Sequence, residues 1–144
     1  REYVSIKGKK ERNYPLFVCE INGVTTYVTS ASGKGLWDDI WGYIGLESNG
    51  TTIKSVVFDH KGETPGLGSK ITEPKFKDPF IGKTIVENGE YVPIEVLKPG
   101  KELNNHQVDG VSGATFTGVG VGEMLERSME AYYNFFVKNP SYIK

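Results

Sequence analysis

The chain has little with which to fasten itself covalently or to a metal. Cys19 is the single cysteine, so no internal disulfide forms and the redox compartment stays open. Placed mid-strand, it reads as a small buried hydrophobe. His60 and His106 are the only histidines. Taken with Glu63 they make a weak metal signal at unrelated spacing, and solvated or capping roles account for them. No apolar run approaches the roughly 18 residues of a membrane span, and no signal peptide is visible. The net charge is −1, which removes the overall field that draws proteins to nucleic acid or acidic membranes. Repeats, low-complexity tracts and linkers are missing too. At 144 residues the chain is expected to be one domain, 1–144, with one core. It begins with Arg, so the expectation is a processed form or an excised soluble domain. The first twelve residues, REYVSIKGKKER, hold five Lys or Arg against two Glu. They read as a solvated arm, with lipid head groups as the sharper alternative.

What the chain does have is glycine, 18 of 144, so many tight turns are expected. PLFVCEI and VTTYVTS flank Asn22-Gly23, a strong hairpin signal. ASGKG (31–35) reads as a loop. WGYIGLE, the turn SNG and TTIKSVVFD make a second hairpin, with Ile53, Val56 and Phe58 on one partly buried face. Pro65-Gly66 fits the centre of a type II turn. TEPKFKDPF (72–80) predicts a short helix with Thr72 as N-cap, Pro74 in its first turn and Phe76 and Phe80 on one face. GKTIVE, the turn Asn88-Gly89 and YVPIEVL follow, Pro93 marking an edge or bulge. Residues 98–107 read as loop. Val121, Leu125, Met129, Tyr132 and Phe136 define one face of a long final helix, ended by Asn139-Pro140. The fold class is α+β: a largely antiparallel sheet built from hairpins, with a short helix and a long C-terminal helix.

Three stretches invite chemistry. VDGVSGATFTGVGVGEML (108–125) crowds small residues where that helix begins. Two readings compete: Thr117 as an ordinary N-cap, or a phosphate site on uncapped helix N–H groups, helped by the hydroxyls of Ser112, Thr115 and Thr117. GVGVG is not a dinucleotide fingerprint, because the G-x-G-x-x-G spacing is missing. ETPGLG (63–68) presents bare backbone beside Leu67, as a flat heterocycle requires, or is a plain surface turn. Trp37 either flanks a ring or packs as an ordinary aromatic, whereas Trp41 reads as a core or sheet-surface aromatic. His106, Asp109 and Ser112 have the residue types of a hydrolase triad but lie within seven residues of one loop, which defeats triad geometry.

DGVSGAT (109–115) fits the pattern D-x-x-S-G-A-T. With SGKGLW (32–37) and GETPGLG (62–68), in this order, the chain resembles the FMN-binding domain family shared by bacterial redox pumps. It is similar to the NqrC branch of that family, found in sodium-translocating NADH:quinone reductases; the related RnfG branch of the Rnf complex shares SGAT, but GKGLW favours the former. The resemblance implies that Thr115 carries FMN through a phosphoester bond, made from FAD by a separate Mg²⁺-dependent flavin transferase. It implies a place on the outer, periplasmic face of the bacterial inner membrane, tethered by a transmembrane helix missing from this chain. Its partners would be the other pump subunits and the transferase, with no nucleic acid. The flavin would relay electrons; no catalytic residue, metal site or nicotinamide site is expected in the domain itself. The backbone of Gly113, Ala114 and Thr115 and the hydroxyls of Ser112 and Thr117 would contact the phosphate. The helix N-terminus would favour its charge by about 0.3–1 kcal/mol. Glu63, Thr64, Pro65, Gly66, Leu67 and Gly68, with Trp37, would form the isoalloxazine wall. Asp109 would be read mainly by the transferase, or simply form a turn. Lys98 or Lys101 would supply a cation, or lie solvated. The competing classes are a sensory or scaffold module that binds a nucleotide reversibly, and a stand-alone flavin reductase.

Overall fold

Asn22 and Gly23 both adopt positive φ, 53° and 78°. That is the type I′ geometry whose twist suits two adjoining strands. Hence β2 (Asn13–Ile21) and β3 (Val24–Lys34) pair antiparallel with Ile21 opposite Val24. β1 (Glu2–Lys7) adds to β2, and β4 (Asp39–Leu46) and β5 (Ile53–His60) extend the other side, in the order β1-β2-β3-β4-β5. This computed structural model describes residues 2–7 and 12–143.

Strand side chains alternate between faces. In β3, Thr25, Tyr27, Thr29 and Ala31 point inward and are buried. Ile53, Val56 and Phe58 of β5 are buried as expected. The step of three between the first two is absorbed by a bulge, since Leu46 pairs with Ile53 but Gly45 with Ser55. Across this face lies α2 (Thr115–Lys138), whose buried row includes Val121, Leu125, Met129, Tyr132 and Phe136. The Tyr132 hydroxyl ties helix to sheet: it donates to Pro15 O at 2.5 Å and accepts from Ser30 N–H at 3.0 Å. Beyond β5, Phe76 and Phe80 close one end of the core. Phe58, Phe76 and Phe80 contact one another with ring centroids 5.2–5.6 Å apart. Each such buried ring contributes roughly 1.5–3 kcal/mol.

The structure departs from sequence expectation in six places. The basic opening segment is not a solvated arm where it is described: Glu2–Lys7 is β1 and Ile6 is buried. Residues 8–11 of that segment lie outside the described residues. The expected loop 31–35 is mostly strand, because Ser32, Gly33 and Lys34 pair with Trp41, Ile40 and Asp39. Thr72 is not an N-cap; it ends a 3-10 turn (Gly68–Thr72), and its hydroxyl donates to Ser69 O. α1 (Pro74–Lys77) is preceded instead by Glu73. Pro93 splits YVPIEVL into β7 (Glu90–Tyr91), which pairs with β6 (Val86–Glu87), and β8 (Glu95–Leu97). β8 then pairs in parallel with β9 (Gln107–Asp109), three residues assigned to loop or motif by sequence. Finally, Cys19 is half-buried in β2 rather than buried. Trp41 lies on the sheet surface at 36 % exposure.

Candidate functional site

β9 delivers the chain to the site. After Asp109, Gly110 N–H bonds Leu97 O at 2.7 Å and Ala114 N–H bonds Val111 O at 3.0 Å, drawing 110–114 into a tight turn. Gly113 sits at φ +77°. α2 begins at Thr115, and no side chain caps its first turn. Its opening N–H groups therefore face outward without internal partners, carrying partial positive charge. Ser112, Gly113 and Thr115 are exposed. They line a cavity of about 320 Å³ with Val96, Lys98, Pro99, Ala114 and Gly118. Lys98, rather than Lys101, is the cation of this cavity.

GETPGLG stands beside this turn. Gly66 has φ +76° and Leu67 N–H bonds Thr64 O, as a type II turn requires. Leu67 is 41 % exposed, and a Cβ on Gly113 would lie 3.1 Å from its Cδ2. Trp37 is 69 % exposed, and its indole N–H donates to Thr64 Oγ1 at 3.1 Å. An exposed Trp and an exposed Leu, two of the residues expected to wall a ring, thus stand on loops joined through Thr64, and Leu67 lies against Gly113 in the turn before Thr115.

Glu63 does not join that wall. It is 3 % exposed. Its carboxylate accepts from the N–H groups of Leu36 (2.7 Å), Trp37 (2.9 Å) and Asp38 (3.2 Å), and from the Thr117 hydroxyl (2.7 Å). Burial pushes the carboxyl up, but the bonds from Thr117, Trp37, Leu36 and Asp38 together outweigh it and hold the group below the usual carboxylate range. Thr117 is accordingly corrected twice. It is neither the N-cap nor a hydroxyl open to phosphate, being 2 % exposed and spent on Glu63. The Ala114 N–H is likewise spent on Val111 O. Gly68 belongs to the same packing, because a Cβ there would lie 2.6 Å from Thr117 Oγ1.

Asp109 has an unexpected environment. Its Oδ1 is buried without a hydrogen-bond partner among the described residues. The residue borders a second cleft of about 250 Å³, lined by Lys70, Glu73, Lys75, Phe76, Pro79 and Pro99 among others. A buried acceptor left unpaired costs about 1–3 kcal/mol, so Asp109 carries a local cost in this fold. The histidines are engaged elsewhere. His60 Nδ1 accepts Glu63 N–H at 3.0 Å, and His106 Nδ1 lies 2.6 Å from Thr84 O. Among the described residues no three His, Cys, Asp or Glu gather as metal ligands.

An uncapped helix start and a lysine-lined cavity beside Thr115 suit a phosphate-bearing ligand, and exposed Trp37 and Leu67 stand on neighbouring loops. The family model of the FMN-binding domain matches residues 35–130, and the chain belongs to that family. Its relatives narrow the comparison to one component, NqrC of the Na⁺-translocating NADH-quinone reductase. NqrC of Pseudomonas aeruginosa is 33 % identical over 129 residues, 86 % of this chain and 49 % of the relative. That of Vibrio alginolyticus is 40 % identical over 90 residues, 62 % of this chain and 35 % of the relative. The crystal structure of NqrC from Parabacteroides distasonis superposes with a TM-score of 0.82 at 44 % identity, covering 87 % of this chain and 63 % of that one. NqrC of Shewanella oneidensis gives 0.77 at 33 % identity, covering 91 % and 65 %. The chain spans about half or less of the length of these two curated relatives.

Proposed function

We propose that this domain is an electron-carrying module that holds FMN through a phosphoester on Thr115, as part of a sodium-translocating NADH:quinone reductase. The observation that carries it is the setting of Thr115: exposed, first in an uncapped helix, and lining a cavity with Ser112 and Lys98. When bound, FMN supplies the redox chemistry; the protein holds and orients it.

The residues present suit the group. The N–H groups of Gly113 and Thr115, the Ser112 hydroxyl and Lys98 Nζ favour the phosphate charge. Leu67 and Trp37 offer the apolar wall, and Thr64 fixes the indole through its hydrogen bond. Thr115 Oγ is a poor nucleophile without a base, and both histidines are committed to other partners. Neither histidine serves as that base, which supports a separate flavin transferase. Thr115 Oγ would carry the flavin phosphate as a phosphoester, with FAD as the donor whose pyrophosphate P–O bond is exchanged for it and AMP as the leaving group. The hydroxyl proton passes to the transferase. Recognition of Asp109 by this transferase is what the family resemblance implies, and it belongs to the same proposal.

No described helix is long and apolar enough to cross a membrane. Placement on the outer face of the bacterial inner membrane and the membrane tether rest on the family resemblance alone, contact with other pump subunits also on the relatives' being subunits of a complex, and all belong to this proposal. Co-expression with a flavin transferase, followed by denaturing electrophoresis, tests it. The wild-type band should fluoresce and the Thr115→Ala band should be dark. Flavin that washes out on denaturation would instead indicate a reversible nucleotide-binding module.

A further inference from the structure

We infer that Glu63 is the positioning residue of the flavin site. One buried carboxylate fixes the Trp37 loop and the first turn of α2 together, so the ring wall and Thr115 are set before any cofactor arrives. The inference rests on the FMN reading for what the site holds, but its geometry is independent of it.

The Glu63 oxygens are divided between two structures. Oε1 accepts from Leu36 N–H and the Thr117 hydroxyl; Oε2 accepts from Trp37 N–H and Asp38 N–H. Three successive backbone donors from one loop and one side-chain donor from the helix thus converge on a single charge. No cation is among these partners, so the backbone itself neutralises the site in the manner of an anion nest. The Glu63 backbone is held as well, through its N–H to His60 Nδ1. Glycines make the room: a Cβ on Gly35 would overlap Glu63 Oε1, and one on Gly68 would lie 3.0 Å from Glu63 Cβ.

This arrangement requires a carboxylate. In Glu63→Gln the amide nitrogen must occupy one of the two oxygen positions. At Oε2 it faces the N–H groups of Trp37 and Asp38; at Oε1 it faces that of Leu36. Either way a donor meets a donor and at least one loop N–H loses its partner. Aspartate is one methylene short of reaching both the loop and Thr117. Thr117→Val is the gentler cut, because it removes the helix link and leaves all three loop bonds.

The test begins with flavin-free protein, so that it does not depend on the FMN reading. In Glu63→Gln, amide exchange should be about tenfold faster or more either at Leu36 or at Trp37 and Asp38, the loss expected for a hydrogen bond to a charged group. Amides in the middle of α2 should keep wild-type rates, and Thr117→Val should leave the three loop amides protected. In flavin-loaded protein, Glu63→Gln and Thr117→Val should keep the covalent mass increment. Their flavin should be brighter and less anisotropic, because the ring is no longer held against Trp37. Unchanged exchange at residues 36–38 in Glu63→Gln, or wild-type flavin anisotropy in both variants, would overturn the inference. Absence of the covalent increment from wild type would sink the FMN reading instead and leave the exchange result standing.

Discussion

The helix that carries Thr115 has glycines at 118, 120 and 122, and two of them should respond to alanine with opposite sign. A Cβ on Gly120 would overlap the Lys34 carbonyl and lie 3.2 Å from Gly35 Cα. These are backbone atoms of the strand beneath the helix and the loop that follows it, and they cannot rotate away. A Cβ on Gly122 would meet nothing nearer than Val96 N at 3.9 Å. Both substitutions gain about 0.5–1 kcal/mol from better helix propensity. Overpacking costs about 1–3 kcal/mol, and the upper end applies where backbone meets Cβ. Gly120→Ala should thus destabilise by about 2 kcal/mol, and Gly122→Ala should stabilise by about 0.5–1 kcal/mol. For a domain of this size 1 kcal/mol moves Tm by about 2–4 °C, so the two variants should differ by about 5–12 °C. Urea unfolding with an unchanged m-value would show that stability itself has moved. Gly120→Ala should also lower flavin loading, since lifting the first turns of α2 displaces Thr115 and parts Thr117 from Glu63. Two shifts of the same sign would refute the close helix–sheet approach on which this rests.

Phe80→Ala should cost about 3–5 kcal/mol by emptying the Phe58–Phe76–Phe80 cluster, read by urea denaturation. Asp109→Ala should leave the fold as stable as wild type or more so, because it removes a buried unpaired oxygen, while flavin loading by the transferase falls; loss of both together would count against the proposed role. Glu63 is held below its unfolded pKa, so its contribution is fully present above the ordinary carboxylate range and is lost as pH falls through the folded value. Stability measured by urea midpoints should therefore fall more steeply with acid in wild type than in Glu63→Gln.

The hairpins and the long helix are legible in the sequence because local chemistry and tertiary structure agree there. Asn22-Gly23 and Asn88-Gly89 both take positive φ in tight turns, and the apolar row of α2 is the row that is buried. Strand ends are less legible. Ser32–Lys34 look like a loop by composition, yet become strand because Ile40 and Trp41 lie opposite and Gly33 leaves space for the helix: a Cβ there would approach Met124 Cβ to 2.9 Å. β9 is three residues long, and its parallel partner β8 is fixed by tertiary contact rather than by any local pattern.

At the site, motif order locates the right loops but composition cannot assign the side chains within them. Ser112, Thr115 and Thr117 look alike in sequence, yet the first and second are exposed and the third is buried on Glu63. Glu63 looks like part of an exposed wall because its neighbours Thr64 to Leu67 are exposed. Its burial depends on three N–H groups 25 to 27 residues away in sequence, a convergence with no one-dimensional trace. The glycines after Thr117 have no pattern that says which of them lets the helix pack closely. The structure singles out Gly120, which gives room to the Lys34–Gly35 backbone.

Intact mass after co-expression with a flavin transferase tests the central claim most directly, with Thr115→Ala and Ser112→Ala prepared alongside. Wild type should gain the mass of one FMN less one water. Ser112→Ala should gain the same increment, in equal or reduced yield, and Thr115→Ala should keep the bare chain mass. A wild-type chain that stays bare beside a transferase active on a control substrate, or an increment that persists in Thr115→Ala, would contradict attachment at Thr115.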